Sequence, residues 1–256
     1  MLILISPAKT FASVKSGVVA SSEGLLFPEQ TVEISSAILK LSSDYLVKEL
    51  KLKPDAAQKA YQQWRKFVDP ATPSLPALSL YSGMVFKKIG VATLGKEARS
   101  WLNEHLLICS FAYGLLRSID PIRPYRLEGT LDPQWSHGHS IFHYWRDVLT
   151  DYLIREIGRH GGVLCFLASE EMKQLFHWEQ VEQAVRVVTP RFLVQDISGK
   201  TKQIVIYTKM ARGSMVRSIA ERQVEDPEML KTLTPEGYMF SPEYTEGDNW
   251  GYLLQG

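Results

Sequence analysis

Two short runs, Leu2–Ile5 and residues 163–167, are apolar at every position and open almost at once into polar strings, Ser6-Pro7-Ala8-Lys9-Thr10 and Ser169-Glu170-Glu171. Unbroken apolar runs of this length are too short for a buried helix and match a strand covered on both faces. A chain with such strands must supply helices to cover them, and helical periodicity recurs throughout. Val32, Ile34, Ile38, Leu39 and Leu41, then Leu46 and Leu50, then Pro54-Asp55 ahead of residues 56–68, read as two or three helices ended by Pro70, Pro73 and Pro76. Residues 96–116 read as a helix interrupted by a strand near 107–110. Ile141–Arg159 reads as a helix with Trp145, Leu149, Leu153 and Ile157 on one face, stopped by Gly161-Gly162. Residues 185–188 and 191–197 read as two strands. The turn Ser198-Gly199-Lys200 joins the second to 202–207 in a hairpin, and 209–222 reads as a last helix. The fold expected is α/β: a single domain with a central mixed β-sheet flanked by helices.

At 256 residues, 45% hydrophobic and 22% charged, the chain can bury one large core. No apolar run is long enough to span a bilayer, and the first one has no basic lead-in, so a cytoplasmic protein whose first strand belongs to the mature chain is expected. The two cysteines, Cys109 and Cys165, sit in apolar strings and read as buried free thiols, and no zinc-type spacing occurs. A net charge of +1 places any nucleic-acid contact on local clusters such as Lys87-Lys88, residues 117–126 and residues 209–217.

Lys9-Thr10 after a strand has the look of a phosphate loop. That loop needs glycines whose successive N–H groups curl around phosphate; here there is none, and Pro7 has no N–H. What remains is a strand end that delivers Ser6 and Lys9 to some site. Ser169 and Glu170 follow the other buried strand in the same way, and strand ends are where open sheets present polar groups. The long loop through Pro121, Pro124 and Pro133 carries Arg123, Tyr125, Arg126, Glu128 and Asp132, more polarity than a core would hold. Candidate catalytic residues are therefore Ser6, Lys9, Glu128, Ser169 and Glu170. His137, His139 and His143, near Glu128 and Asp132, have metal-like spacing, but a glycine-containing loop commonly leaves histidines solvated. No metal and no cofactor is expected.

Residues 84–102 read as short helix, tight turn and longer helix, with Ile89-Gly90-Val91 at the turn. This is the pattern of a helix-hairpin-helix element, which offers turn N–H groups to a nucleic-acid backbone; Ala92 stands where a second glycine is usual. The alternative is an ordinary helical corner with solvated lysines. The candidate DNA contacts are Lys87, Lys88, Gly90, Val91, Lys96 and Arg99 at the hairpin, with Lys9, Arg117, Arg126, Lys209, Arg212 and Arg217 in a basic cleft.

The strings LISPAKT, YGLLRSIDPIRPYRLE, FHYWRD, LASEE, MARGSMVRSI and EGYMF occur in the order seen in the YaaA family of peroxide-stress proteins, which this chain resembles over residues 1–240. The resemblance implies a bacterial, cytosolic protein of the hydrogen peroxide response, associated with limiting damage from unincorporated iron. It also implies a helix-hairpin-helix element beside a positively charged cleft, double-stranded DNA as partner, and no established reaction. Carried over by position, the cleft residues are Ser6, Lys9, Thr10, Arg117, Tyr125, Arg126, Glu128, Trp145, Asp147, Ser169, Glu170, Lys209, Arg212, Gly213, Glu236 and Tyr238. Departures from the family pattern are Ser110-Phe111-Ala112-Tyr113-Gly114 for SGLYG, which loses a glycine at Phe111, Ser118 for a proline, Arg146 for a glycine, Phe166 for an asparagine and Met172 for a tyrosine. Two other functions stay open: an enzyme acting on a phosphate- or carboxylate-bearing ligand, and direct iron binding by Glu128, Asp132 and His139. A monomer is expected.

Overall fold

A computed structural model describes residues 1–13, 22–51, 53–135 and 138–255. In chain order it runs β1 (Leu2–Ile5), α1 (Pro28–Lys40), α2 (Ser43–Glu49), α3 (Pro54–Val68), β2 (Leu75–Pro76), α4 (Ala77–Leu80), α5 (Met84–Ile89) and α6 (Lys96–His105). Then come β3 (Leu106–Ser110), β4 (Gly114–Leu116), β5 (Pro121–Ile122), α7 (Ile141–Arg159), β6 (Val163–Phe166), α8 (Trp178–Ala184), β7 (Arg186–Gln195), β8 (Thr201–Lys202), α9 (Val205–Arg222), β9 (Met239–Phe240) and β10 (Asn249–Gln255). Local chemistry marks several starts. Proline opens α1 and α3, and the Ser42 and Ser140 hydroxyls accept N–H bonds at the starts of α2 and α7.

Among the described residues, eight strands form one mixed sheet, ordered β4-β3-β1-β6-β7-β10-β9, with β8 on β7. β1 lies between β3 and β6, parallel to both, with Ile3 opposite Leu106 on one side and Cys165 on the other. Every residue of β1 and β3 is buried, as expected of strands covered on both faces. On α7, Trp145, Leu149, Leu153 and Ile157 are all fully buried, one stripe of a helix laid on the sheet.

Three sequence expectations change. Residues 186–195 form one strand: β6 pairs only with Arg186–Val188, so beyond Val188 one edge of β7 is open until β8 pairs at Val194 and Gln195, and Pro190 is tolerated there. The hairpin arm after Lys200 is only Thr201–Lys202, and the last helix starts at Val205, because Val205, Ile206 and Tyr207 join α9 on its exposed side. The C-terminal strand β10, parallel to β7 along its whole length, had no signal in the sequence reading. The serine-rich loop of residues 13–22 falls largely outside the described residues.

Cys109 and Cys165 are fully buried free thiols on strands that flank β1. With β1 between them their strands are about 10 Å apart, too far for a disulfide. Burial raises both thiols, that of Cys165 to about 12. Because the thiolate is the species that peroxide oxidises, neither is poised to sense it. The expected result is that native protein treated with hydrogen peroxide or iodoacetamide shows no modified cysteine by mass spectrometry, and both react after denaturation.

Candidate functional site

β1 is the point from which the sheet grows in both directions, to β3 and to β6, and ligands of parallel sheets bind beyond the carboxyl ends of strands at such a point. Ser6–Thr10 leave β1 there, Phe111 follows β3, and Leu167 and Ser169 follow β6. These residues line a cavity of about 490 Å³ that is completed by Gly83, Met84–Phe86 of α5, Tyr125–Leu127, Glu171 and Met172, and Lys209 and Arg212 of α9. Segments distant in sequence thus bring Ser6, Lys9, Arg126, Ser169, Lys209 and Arg212 together.

The two strand ends are stitched by their serines. Ser6 Oγ accepts the Ser169 N–H at 2.8 Å and donates to Ser169 Oγ at 3.2 Å, so the Ser169 O–H has no protein acceptor among the described residues. Arg126 is carried by a loop held from below: Trp64 Nε1 donates to the Arg126 carbonyl at 3.0 Å, and the Tyr125 hydroxyl is bonded to Ser110 at 2.7 Å and Tyr81 at 3.0 Å. Glu128 Oε1 accepts from Lys9 (2.8 Å) and forms an ion pair with Arg126 Nη2 (2.6 Å), tying two cations by one carboxylate. Arg126 Nε is nonetheless buried without a hydrogen-bond partner among the described residues, and so is Arg212 Nε. Burial pulls the Arg212 guanidinium below the ordinary arginine value, and Glu170 opposes this only in part.

The α9 helix delivers Arg212 because Gly213 lets it touch α5: a Cβ there would fall on the Val85 carbonyl oxygen and 2.7 Å from Lys88 Cβ. Gly83 makes the matching approach to the β1 loop, where a Cβ would stand 2.8 Å from that of Ala8. Residues 84–102 fold as α5, a left-handed Gly90 (φ 60°), a 3₁₀ turn over Val91–Thr93, and α6. Arg217 braces this turn from α9, its Nη1 donating to the Ile89 carbonyl at 3.1 Å and to Thr93 Oγ1 at 2.9 Å. Lys88 pairs with Glu236 at 2.7 Å. Lys87, Lys96 and Arg99 stand exposed, with no ion pair among the described residues.

Other sequence candidates lie elsewhere. Arg117 turns to Asp120 (2.8 Å) and Glu23 (2.6 Å), away from the cavity. Arg123 donates to Phe67 and Thr72 carbonyls, closing the end of α3. Glu170 pairs outward with Lys173, and the neighbouring Glu171 lines the cavity. Trp145 is core, its Nε1 donating to the Phe111 carbonyl at 2.8 Å; Tyr238 packs on Phe192 in the core; and Asp147 pairs with His177 at 2.6 Å, which holds its carboxyl below the usual range. Arg146 reaches toward the Gln174 carbonyl and lines no part of the cavity. The rings of His139 and His143 stack at 3.8 Å, His137 lies outside the described residues, and among the described residues no three His, Cys, Asp or Glu side chains are placed to share a metal. Nothing local in the sequence marks Trp64 and Arg217 as supports, because their long apolar or charged side chains carry no signal of a partner about 60 or 130 residues away.

The chain matches the family model described as peroxide stress protein YaaA over residues 1–244. A UPF0246 protein of Porphyromonas gingivalis is 43% identical over 258 residues, 100% of both chains. Relatives of the same description from Bacteroides thetaiotaomicron and Bacteroides fragilis are 41% and 40% identical over 246 residues, covering 96% of this chain and 95% of theirs. Among the described residues no helix is long and apolar enough to cross a membrane.

Proposed function

The chain belongs to the family of peroxide stress protein YaaA, and from that premise we propose that it binds the phosphate backbone of double-stranded DNA without strong sequence preference. The observation that carries this reading is that α5 serves two surfaces at once. Met84, Val85 and Phe86 wall the cavity that holds Arg126 and Arg212, and the same helix continues into exposed Lys87 and the Gly90 turn toward Lys96 and Arg99. A track of cations from Lys9 and Lys209 at the cavity mouth to the hairpin suits a run of phosphates, whereas base-edge readout would need side chains shaped for a groove. Covered backbone is less accessible to the radicals that unincorporated iron makes from peroxide, so protection acts on the DNA and requires no metal site. Arg117 and Arg217 are bound to protein partners and drop out of the contact surface, and Lys88 shares its charge with Glu236.

Duplexes of unrelated sequence are expected to bind equally well in fluorescence anisotropy. The combined change Lys87→Ala, Lys96→Ala and Arg99→Ala removes three exposed cations and is expected to weaken binding by about ten- to a hundredfold at moderate salt. Circular dichroism and melting should stay as in the parent. Undiminished affinity in this variant would remove the hairpin from the interface.

A further inference from the structure

The cavity itself is built for something smaller than a duplex. Arg126 and Arg212 both line the cavity, and among the described residues the buried Nε of each has no hydrogen-bond partner; a buried charged donor left unsatisfied is expensive. Among the described residues no ion pair holds Arg212: Glu170 pairs with Lys173 and offsets the burial of Arg212 only in part, and Glu128 is shared between Lys9 and Arg126 Nη2. The Ser169 hydroxyl proton, freed by the bond from Ser6, adds a neutral donor from a third element. Donors that converge from the β6 loop, the Arg126 loop and α9 suit a tetrahedral group with three free oxygens better than a planar carboxylate.

Besides Ser6, Thr10, Glu171 and the cations Lys9 and Lys209, the rest of the wall is apolar. Met84, Phe86, Phe111, Leu127 and Met172 line it, and because the Tyr125 hydroxyl is committed to Ser110 and Tyr81, Tyr125 offers its ring. About 490 Å³ exceeds the needs of a bare anion and lies in the range of small-ligand pockets. A terminal phosphate enters such a cavity more readily than an internal phosphodiester, which is flanked by a sugar on each side.

We propose that the cavity is a binding site for a small phosphate monoester with an aromatic or apolar body, its dianion on Arg126, Arg212 and Ser169 and its body against Phe111 and Tyr125. This site is separate from the exposed hairpin cations and does not depend on the DNA reading.

The test is calorimetric titration of the full chain in phosphate-free buffer, above the second phosphate pKa of about 6, with phenyl phosphate, inorganic phosphate, phenol and benzoate as probes. Phenyl phosphate is expected to bind roughly tenfold or more tightly than inorganic phosphate, through its buried ring, and roughly tenfold or more tightly than phenol or benzoate, through its dianion. Arg212→Gln is expected to weaken phenyl phosphate by about thirtyfold while leaving the melting temperature of the unliganded protein equal or higher, an outcome a purely structural arginine would not give. Arg126→Gln gives the second reading if the first variant folds poorly. The Lys87, Lys96 and Arg99 triple variant should keep its phenyl phosphate affinity while losing duplex affinity, so either proposal can fail alone. No binding of phenyl phosphate at millimolar concentration, equal binding of phenol, or unchanged affinity in both arginine variants would overturn the assignment.

Discussion

Gly213→Ala is expected to destabilise the protein by about 3 kcal/mol, a fall of roughly 6–12 °C in melting temperature for a chain of this size. The reason is the nature of the obstacle. The added Cβ meets the Val85 backbone carbonyl of α5, and a carbonyl cannot rotate away as a side chain would. Relief requires α5 and α9 to separate, and these helices share more than one element of the site: α5 forms a cavity wall and starts the hairpin, while α9 carries Lys209, Arg212 and the Arg217 brace. Duplex affinity and cavity binding are therefore expected to fall together in this variant, even at temperatures where calorimetry shows it folded. A variant with parental melting temperature and affinity would mean that the helices do not meet at Gly213.

Trp145→Ala is expected to cost about 4 kcal/mol. The indole is fully buried, packs edge-on against Phe27 with centroids 5.8 Å apart, and fills the space that Gly114 leaves, where a Cβ would lie 2.8 Å from its ring. Its removal opens a large hole and orphans the Phe111 carbonyl. Trp145→Phe keeps most of the volume and is expected to lose only about 1–2 kcal/mol, chiefly for the missing N–H donor. Because Trp145 sits behind Phe111 and touches no lining surface, Trp145→Phe should bind duplex DNA like the parent. Thermal unfolding and anisotropy on both variants separate this structural role from the cleft role that family position assigns to Trp145.

The strand ends were legible because a run such as Leu2–Ile5 reads as a doubly covered strand, and a polar string that follows it emerges beyond the strand's carboxyl end. Helix α7 and the short helix α5 were legible within their observed bounds, since their apolar spacing and the stops at Gly161 and Gly90 are local. What was not legible depends on distant partners. The strand β10 exists because β7 lies beside it from Asn249 to Gln255, and nothing within WGYLLQ dictates that pairing. The fate of individual cations was equally hidden: Arg117, Lys88 and Arg217 look like Lys9 and Arg212 in sequence, yet Asp120, Glu236 and the Ile89 carbonyl claim them. The environments of Glu170 and Glu171 were hidden in the same way: within the 3₁₀ turn over Glu170–Leu175 the first pairs with Lys173, while the second lines the cavity.

The most direct measurement is the salt dependence of duplex affinity in the parent and in the Lys87, Lys96 and Arg99 triple variant. If Lys9, Lys209 and the three hairpin cations each neutralise a phosphate, the parent slope of log affinity against log salt is expected near −4.5, and the variant slope shallower by about 2.7. A parent slope close to zero, or the same slope in both proteins, would contradict a backbone-binding hairpin.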